Sequence, residues 1–448
     1  MTRIFENATM LLPGRRVATG DIVVERGKIA ALRLSDANNE ATGPRENAET
    51  IDCSGKLVMP GLVNSHGHTP MTLLRGVGGG LPLQRWLEEA IFPVEAKMKP
   101  EDIAAGMTWG AMEMLAGGTT CVGEMYDFPE AEEEALRATG MKGNICRVGL
   151  AFADNVPPNR LAECIDYCRG EVGAVDGTRP QIARDFCIHS EYLTNEKFCR
   201  ELAAANKDLK RPLNVHVSET KKEHDECIAR HGKTPIAYLA STGILDFGGY
   251  AAHCVWCTDD DFRIMREMGV SLVHNPTSNM KLGSGFARIP AAMALGVNIA
   301  LGTDGCASND NLDMFEEMHL ASLIHKGLAQ NPTVLAPWDI IEMATVNGAK
   351  ALGRTDSGEI AVGKCADLCI VDLNKVHLKP ANDLANLVVH SMHASDVAMT
   401  VVDGEIAYDR GHWPMIDDGR AEFEFNLALH RLQVIPYPSP LDAMAEQS

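Results

Sequence analysis

Apolar and polar positions alternate along this chain in two textures, one at its ends and another through its middle. Over the first 56 residues, short β-branched and apolar runs stand between turn residues. Thr2–Phe5, Ile22–Glu25 and Ile29–Leu32 predict strands, the last two separated by Arg26-Gly27. The polar stretch Ser35–Thr50 predicts a loop. Strand texture returns from about Ser357, in GEIAVGKCADLCIVDL and VAMTVVDGEIAYD. Neither end holds enough strands to bury a core alone. Residues 1–56 and 357–448 are therefore expected to fold together as a composite β-sandwich.

Residues 57–356 alternate short apolar runs with helical patterns, the mark of βα units around a parallel sheet. One unit shows the logic. Pro100 suits a first helical turn, Ile103, Met107, Met114 and Leu115 share one helical face, and Gly117-Gly118 ends the helix before a strand at 119–125. The same pattern predicts strands at 57–65, 145–152, 181–188, 212–217, 249–253, 270–274 and 297–303. Eight strands in this span match a (β/α)8 TIM-type barrel of the α/β class. An open doubly wound sheet would carry a glycine-rich nucleotide turn after its first strand. Here that strand is followed by His66-Gly67-His68 instead.

Composition narrows the partners. The formal charge is −20, from 61 acidic and 41 basic residues, so nucleic acid and anionic membranes are not expected to bind. The N-terminus has neither the basic stretch nor the apolar run of a signal peptide. The 13 scattered cysteines suit reduced thiols in a cytoplasm. Cys254 and Cys257 form a lone C-x-x-C, which cannot by itself complete a four-sulfur zinc site.

In such barrels chemistry is built from the carboxyl ends of the strands and the loops after them. Those positions hold His66, His68, Glu124, Asp154, His189, His216, His253, His274-Asn275 and Asp304. Any one histidine there would ordinarily be structural, but six of the 15 converge on this rim. His274 reads as structural, and Glu124 and Asp154 receive no role. His66 and His68 alternate at one strand end and can grip one ion together, with His216 and Asp304 completing the set. Nitrogen and carboxylate ligands without thiolate suit Zn2+, or another divalent transition ion such as Fe2+. The fourth strand offers Arg184 but no lysine to bridge two ions, so one metal per subunit is expected. Glu219 adds a carboxylate beside this set. It reads either as a helix-start acid or as a proton donor to a substrate ring nitrogen.

The run PGLVNSHGHTPMTLLRG resembles the first-strand signature of the amidohydrolase superfamily. AAHCVW, HNPTSNMKLG and LGTDGCASNDNLDMFEEM are similar to later signatures of its cytosine-deaminase-like branch. Within that branch the chain resembles the 5′-methylthioadenosine/S-adenosylhomocysteine deaminases over nearly its whole length, from the N-terminal strands through LPLQRWLEEAIFPVE to GEIAVGKCADLCIVDL. The resemblance implies hydrolytic deamination of adenosine-type nucleosides, with a small nucleoside as the partner; a homo-oligomer is compatible with it. It implies metal ligation by His66, His68, His216 and Asp304, proton shuttling by Glu219, water polarisation by His253 and proton acceptance by Asp304. Glu95 would bind ribose hydroxyls, His189 would contact the substrate, and Arg147 and Arg160 would hold an amino-acid carboxylate.

The chain departs from the pattern twice. Gly78-Gly79-Gly80 stands where relatives often carry acids, and Glu191 replaces the usual proline after a His-Ser, where a carboxylate would disfavour an anionic substrate tail. The alternative reading is deamination of another heteroaromatic ring, such as a guanine-like base, a pterin or a triazine. A non-catalytic barrel scaffold is the remote one, since the ligand set and Glu219 are intact.

Overall fold

The structure, a computed structural model, describes residues 2–35, 48–81, 83–151, 159–171 and 179–434. Asp154, most of the Ser35–Thr50 stretch and the end of the chain lie outside them. The N-terminal strands are β1 (Thr2–Leu12), β2 (Arg16–Glu25), β3 (Lys28–Leu34), β4 (Glu49–Asp52) and β5 (Lys56–Pro60). Then follow β6 (Leu62–Gly67), β7 (Thr119–Glu124), β8 (Lys142–Cys146), β9 (Ile182–Cys187), β10 (Leu213–Val217), β11 (Gly249–His253), β12 (Val270–His274) and β13 (Ile299–Leu301). The C-terminal strands are β14 (Leu368–Asp372), β15 (Val397–Val402) and β16 (Glu405–Asp409).

Strands β6 to β13 form an eight-stranded parallel sheet in strict sequential order. The sheet closes through a parallel bridge between Gly67 and Asp304, where the Asp304 amide donates to the His66 carbonyl at 3.0 Å. The fold is therefore a (β/α)8 barrel. Its strands are buried from end to end, save Arg184 of β9, because helices cover the outside and side chains fill the inside. The helix Pro100–Ala116 follows its apolar stripe: Ile103, Met107, Met114 and Leu115 are all buried.

The two chain ends build one mixed sheet in the order β16-β15-β14-β5-β1-β2-β3, with β4 also paired to β1. Phe5, Met10, Ile22, Val58, Ile370 and Val401 give it a core separate from that of the barrel. The run expected as a single strand at 57–65 is two. Leu57 to Pro60 pair with β14 of the mixed sheet, and after Gly61 the chain turns into β6 of the barrel. A continuous apolar run is what both environments demand, so periodicity could not separate them. No helix of the described residues is long and apolar enough to cross a membrane.

Candidate active site

The parallel strands deliver their C-terminal ends to one rim. His66 lies in β6 and His68 just past it, His216 lies in β10, His253 ends β11, and Asp304 follows β13. Backbone strain collects at the same rim, with Ser218, His253, Cys254 and Asp304 all at φ between 48° and 70°. Non-glycine residues held there cost about 1–3 kcal/mol each, which the closed barrel must offset elsewhere.

One donor atom from each of His66, His68, His216 and Asp304 lies within 4.8 Å of all the others. His68 Nε2 stands 3.2 Å from His216 Nε2 and 3.2 Å from Asp304 Oδ1. Backbone carbonyls fix the tautomers: His216 Nδ1 donates to the His189 carbonyl at 2.8 Å, and His68 Nδ1 donates to that of Met125. Each Nε2 is thereby turned toward the shared centre. Both ring nitrogens of His66 are buried with no hydrogen-bond partner. Converging Nε2 atoms, an orphaned imidazole and one carboxylate fit a divalent cation bound through nitrogen and oxygen. Burial, reinforced by neighbouring imidazoles, pushes His66 and His216 well below the ordinary histidine range, so both are neutral and able to ligate. Burial also pulls on His68, but the Asp304 carboxylate outweighs it and holds the imidazole up at about 9. A second acidic cluster, Cys365, Asp367 and Asp403, already holds a cation, because Lys142 Nζ lies 2.8 Å from Asp367 and 2.7 Å from Asp403. In the fourth barrel strand, Arg184 pairs with Glu133 at 2.8 Å.

Glu219 lines the same cavity as Asp304. Its Oε2 is 4.0 Å from His253 Nε2, and its Oε1 accepts from the Ser284 hydroxyl at 3.2 Å. Burial, aided by the Asp304 charge, pushes its carboxyl above the ordinary range, although His253 and Ser284 pull the other way. His253 is oriented by Asn279, whose Oδ1 lies 2.8 Å from His253 Nδ1. Asp304 Oδ2 accepts from Ser278 at 2.6 Å and from Ser308 at 2.8 Å. Sequence reasoning did not find these supporting residues. Their signal was the hydroxyls and amides inside HNPTSNMKLGSG and GTDGCAS, runs that already held candidate residues.

The centre opens into a cavity of about 370 Å³. Glu95 and His189 line it; Arg147 and Arg160 do not. Tyr126 donates a 2.5 Å hydrogen bond to Glu95 Oε1, and burial pushes the Glu95 carboxyl up. Burial and nearby imidazoles hold His189 down at about 3, so it is neutral. Arg147 pairs with Glu130 at 2.6 Å and Arg160 with Asp127 at 3.1 Å. Two further strand-end residues, Glu124, which had no assigned role, and His274, read as structural, have structural work. Glu124 accepts from the Thr69 amide at 2.9 Å and fixes the turn after His68, while His274 packs against His325, 3.4 Å between Nε2 atoms.

The expectation for Glu191 is overturned. It is buried, it pairs with Arg230 and His231 of the helix Lys221–His231, and it is absent from the cavity wall. Its charge is neutralised within the protein and does not face a substrate tail. Gly78 packs close to Trp86 and Ala90, and Trp86 does line the cavity.

Comparison with known proteins agrees with this geometry. The amidohydrolase family model matches residues 57–407. A 5-methylthioadenosine/S-adenosylhomocysteine deaminase of Acetivibrio thermocellus is 42% identical over 389 residues, covering 87% of this chain and 89% of that protein. A 5′-deoxyadenosine deaminase of Methanosarcina acetivorans is 39% identical over 416 residues, covering 92% of this chain and 93% of its own length. The crystal structure of an adenosine deaminase from Xanthomonas campestris with bound zinc superposes with a TM-score of 0.88 at 32% identity, covering 97% of this chain and 99% of that one. This chain belongs to the amidohydrolase family.

Proposed function

We propose that the protein is a metal-dependent hydrolase that deaminates adenosine-type nucleosides to the inosine analogue and ammonia. The observation that carries this reading is Glu219, a carboxyl raised by burial and set, with a three-histidine, one-aspartate donor set, at a nucleoside-sized cavity. The relatives named for deamination of 5-methylthioadenosine, S-adenosylhomocysteine and 5′-deoxyadenosine support the adenine ring as the target. One divalent ion, Zn2+ on the strength of the zinc-bound structural relative, would be held by His66, His68, His216 and Asp304. When bound, it supplies Lewis-acid activation of water, lowering its pKa toward about 7.

The chain's own residues then divide the proton work. His253 Nε2, with its ring fixed by Asn279, orients the water that attacks purine carbon 6. Asp304 accepts the proton that this water loses. Glu219 delivers a proton to ring nitrogen 1, which makes carbon 6 electrophilic and drains charge from the tetrahedral adduct. The proton held by Asp304 passes to the amino group as the carbon–nitrogen bond breaks and ammonia leaves, and the hydroxyl proton left on carbon 6 returns to Glu219 as the carbonyl forms. Two carboxyls with opposite proton duties need environments that separate their affinities. Here Glu219 is raised, whereas the neighbouring imidazoles hold Asp304 well below its ordinary value against the pull of burial. Glu95 would accept from the ribose hydroxyls through the oxygen that Tyr126 leaves free, and His189 would contact the bound substrate.

An ammonia-release panel of adenosine, 5′-deoxyadenosine, 5′-methylthioadenosine, S-adenosylhomocysteine, guanine, a pterin and a triazine tests this. Turnover is expected for the adenosine-type members. Release confined to guanine, the pterin or the triazine would overturn it.

A further inference from the structure

Beside its polar groups, the cavity is lined by Trp86, Leu87, Phe92, Phe128, Val148 and Leu150, with Phe92 45% and Phe128 36% exposed. Among the described residues, no lysine or arginine lines it, and the charged side chains beyond the metal donor set and the histidines are Glu95, Asp127 and Glu219. Arg147 and Arg160, the two arginines expected to hold a substrate carboxylate, are already committed. Glu130 places both oxygens 2.6 Å from Arg147 Nη2, and Asp127 reaches Arg160 at 3.1 and 3.5 Å. Glu163 lies 3.9 Å from each arginine, so two cations face three carboxylates.

We propose that this cavity selects nucleosides whose 5′ substituent is neutral and apolar, and that Asp127 and Glu130 set this preference by occupying the arginines. The proposal rests on the adenosine-type deaminase reading and names the branch of substrate within it. An entering carboxylate would have to displace one already bound to the same guanidinium, an exchange of like for like, while Glu163 repels it. These ion pairs are partly exposed and solvent screens them, but the cost of stripping water from a charged tail along the apolar wall is not screened. A methylthio or methyl group meets no such cost and buries its own surface against Leu87, Val148 and Leu150.

The test compares kcat/KM of the metal-loaded enzyme for 5′-deoxyadenosine, 5′-methylthioadenosine, S-adenosylhomocysteine and an adenosine with a cationic 5′-aminoalkylthio tail. Both neutral substrates should exceed the zwitterionic one by about tenfold or more. In the Asp127→Asn/Glu130→Gln double variant, the ratio of S-adenosylhomocysteine to 5′-methylthioadenosine should rise by about tenfold. Calorimetric binding of the same two ligands to metal-loaded Glu219→Gln protein gives the preference without turnover and without the double variant; the neutral ligand should bind more tightly. Preference for S-adenosylhomocysteine, a faster cationic substrate, or an unmoved ratio in the double variant would each overturn the proposal. If no adenosine-type nucleoside releases ammonia, the deaminase reading falls and this one with it. If they do and the ratio stays put, only the selectivity falls.

Discussion

Asp304 faces two ways: its Oδ1 lies 3.2 Å from His68 Nε2, and its Oδ2 accepts a 2.6 Å hydrogen bond from the Ser278 hydroxyl. The two serine donors on Oδ2, Ser278 and Ser308, stop the carboxylate from rotating away from the histidines. Ser278→Ala should therefore lower metal affinity or kcat by about 10–100-fold. Competition with a chromogenic chelator and initial rates of ammonia release measure the two effects separately. Wild-type values for both would show that Ser278 does not position Asp304.

Glu219 is expected to be indispensable for turnover but not for the metal, since it is not part of the donor cluster. Glu219→Gln keeps the shape of the side chain and the hydrogen bond from Ser284, while the amide has no proton to shuttle. Its kcat should fall by about a hundredfold or more, the usual scale for a general acid/base, with bound metal unchanged by elemental analysis. A near-normal rate would remove Glu219 from the proton path.

The histidines were legible because strand ends are local features. A period of two and a turn residue place His66, His68, His216 and His253 without reference to the rest of the chain. What could not be read depends on distant partners. LVMPGLVNS reads as one strand, yet Leu57–Pro60 pair with β14, some 300 residues later, and nothing within the run announces that partner. Glu191 looked free to face a substrate until Arg230 and His231 arrived from a later helix. Ser278 and Asn279 are adjacent in sequence, yet one reaches Asp304 and the other His253, a division set by where the short helix Pro276–Lys281 after β12 sits in the rim.

Metal removal should cost both activity and stability. Without a cation, the buried His66 imidazole has no hydrogen-bond partner, and His68 Nε2 and His216 Nε2 are left 3.2 Å apart with nothing between them. Any ion that binds only the folded chain adds RT ln(1 + [L]/Kd), about 2.7 kcal/mol at a hundredfold excess over Kd. Dialysis against a strong chelator should abolish ammonia release and lower the melting temperature, and stoichiometric Zn2+ should restore both. Full turnover by demonstrably metal-free protein would refute the proposed metal centre.

The barrel closes against a glycine. Gly302, between β13 and Asp304, donates to the His274 carbonyl at 3.1 Å, and a Cβ there would stand 2.8 Å from the His66 carbonyl oxygen and 2.9 Å from its amide nitrogen. Both are backbone atoms of the strand that carries His66 and leads into His68, and they cannot yield as a flexible side chain would. Gly302→Ala must therefore push β13 off β6, at about 1–3 kcal/mol for an overpacked site. The same displacement moves Asp304 relative to His66 and His68, so metal affinity should fall together with melting temperature. Gly327→Ala is the control: it lies exposed in the helix Met314–Ala329 with nothing within 4 Å of the added methyl, and should be neutral or stabilising by up to about 1 kcal/mol. If Gly302→Ala melts and binds metal like the wild type, the close approach of these two strands is not what holds the donor set in place.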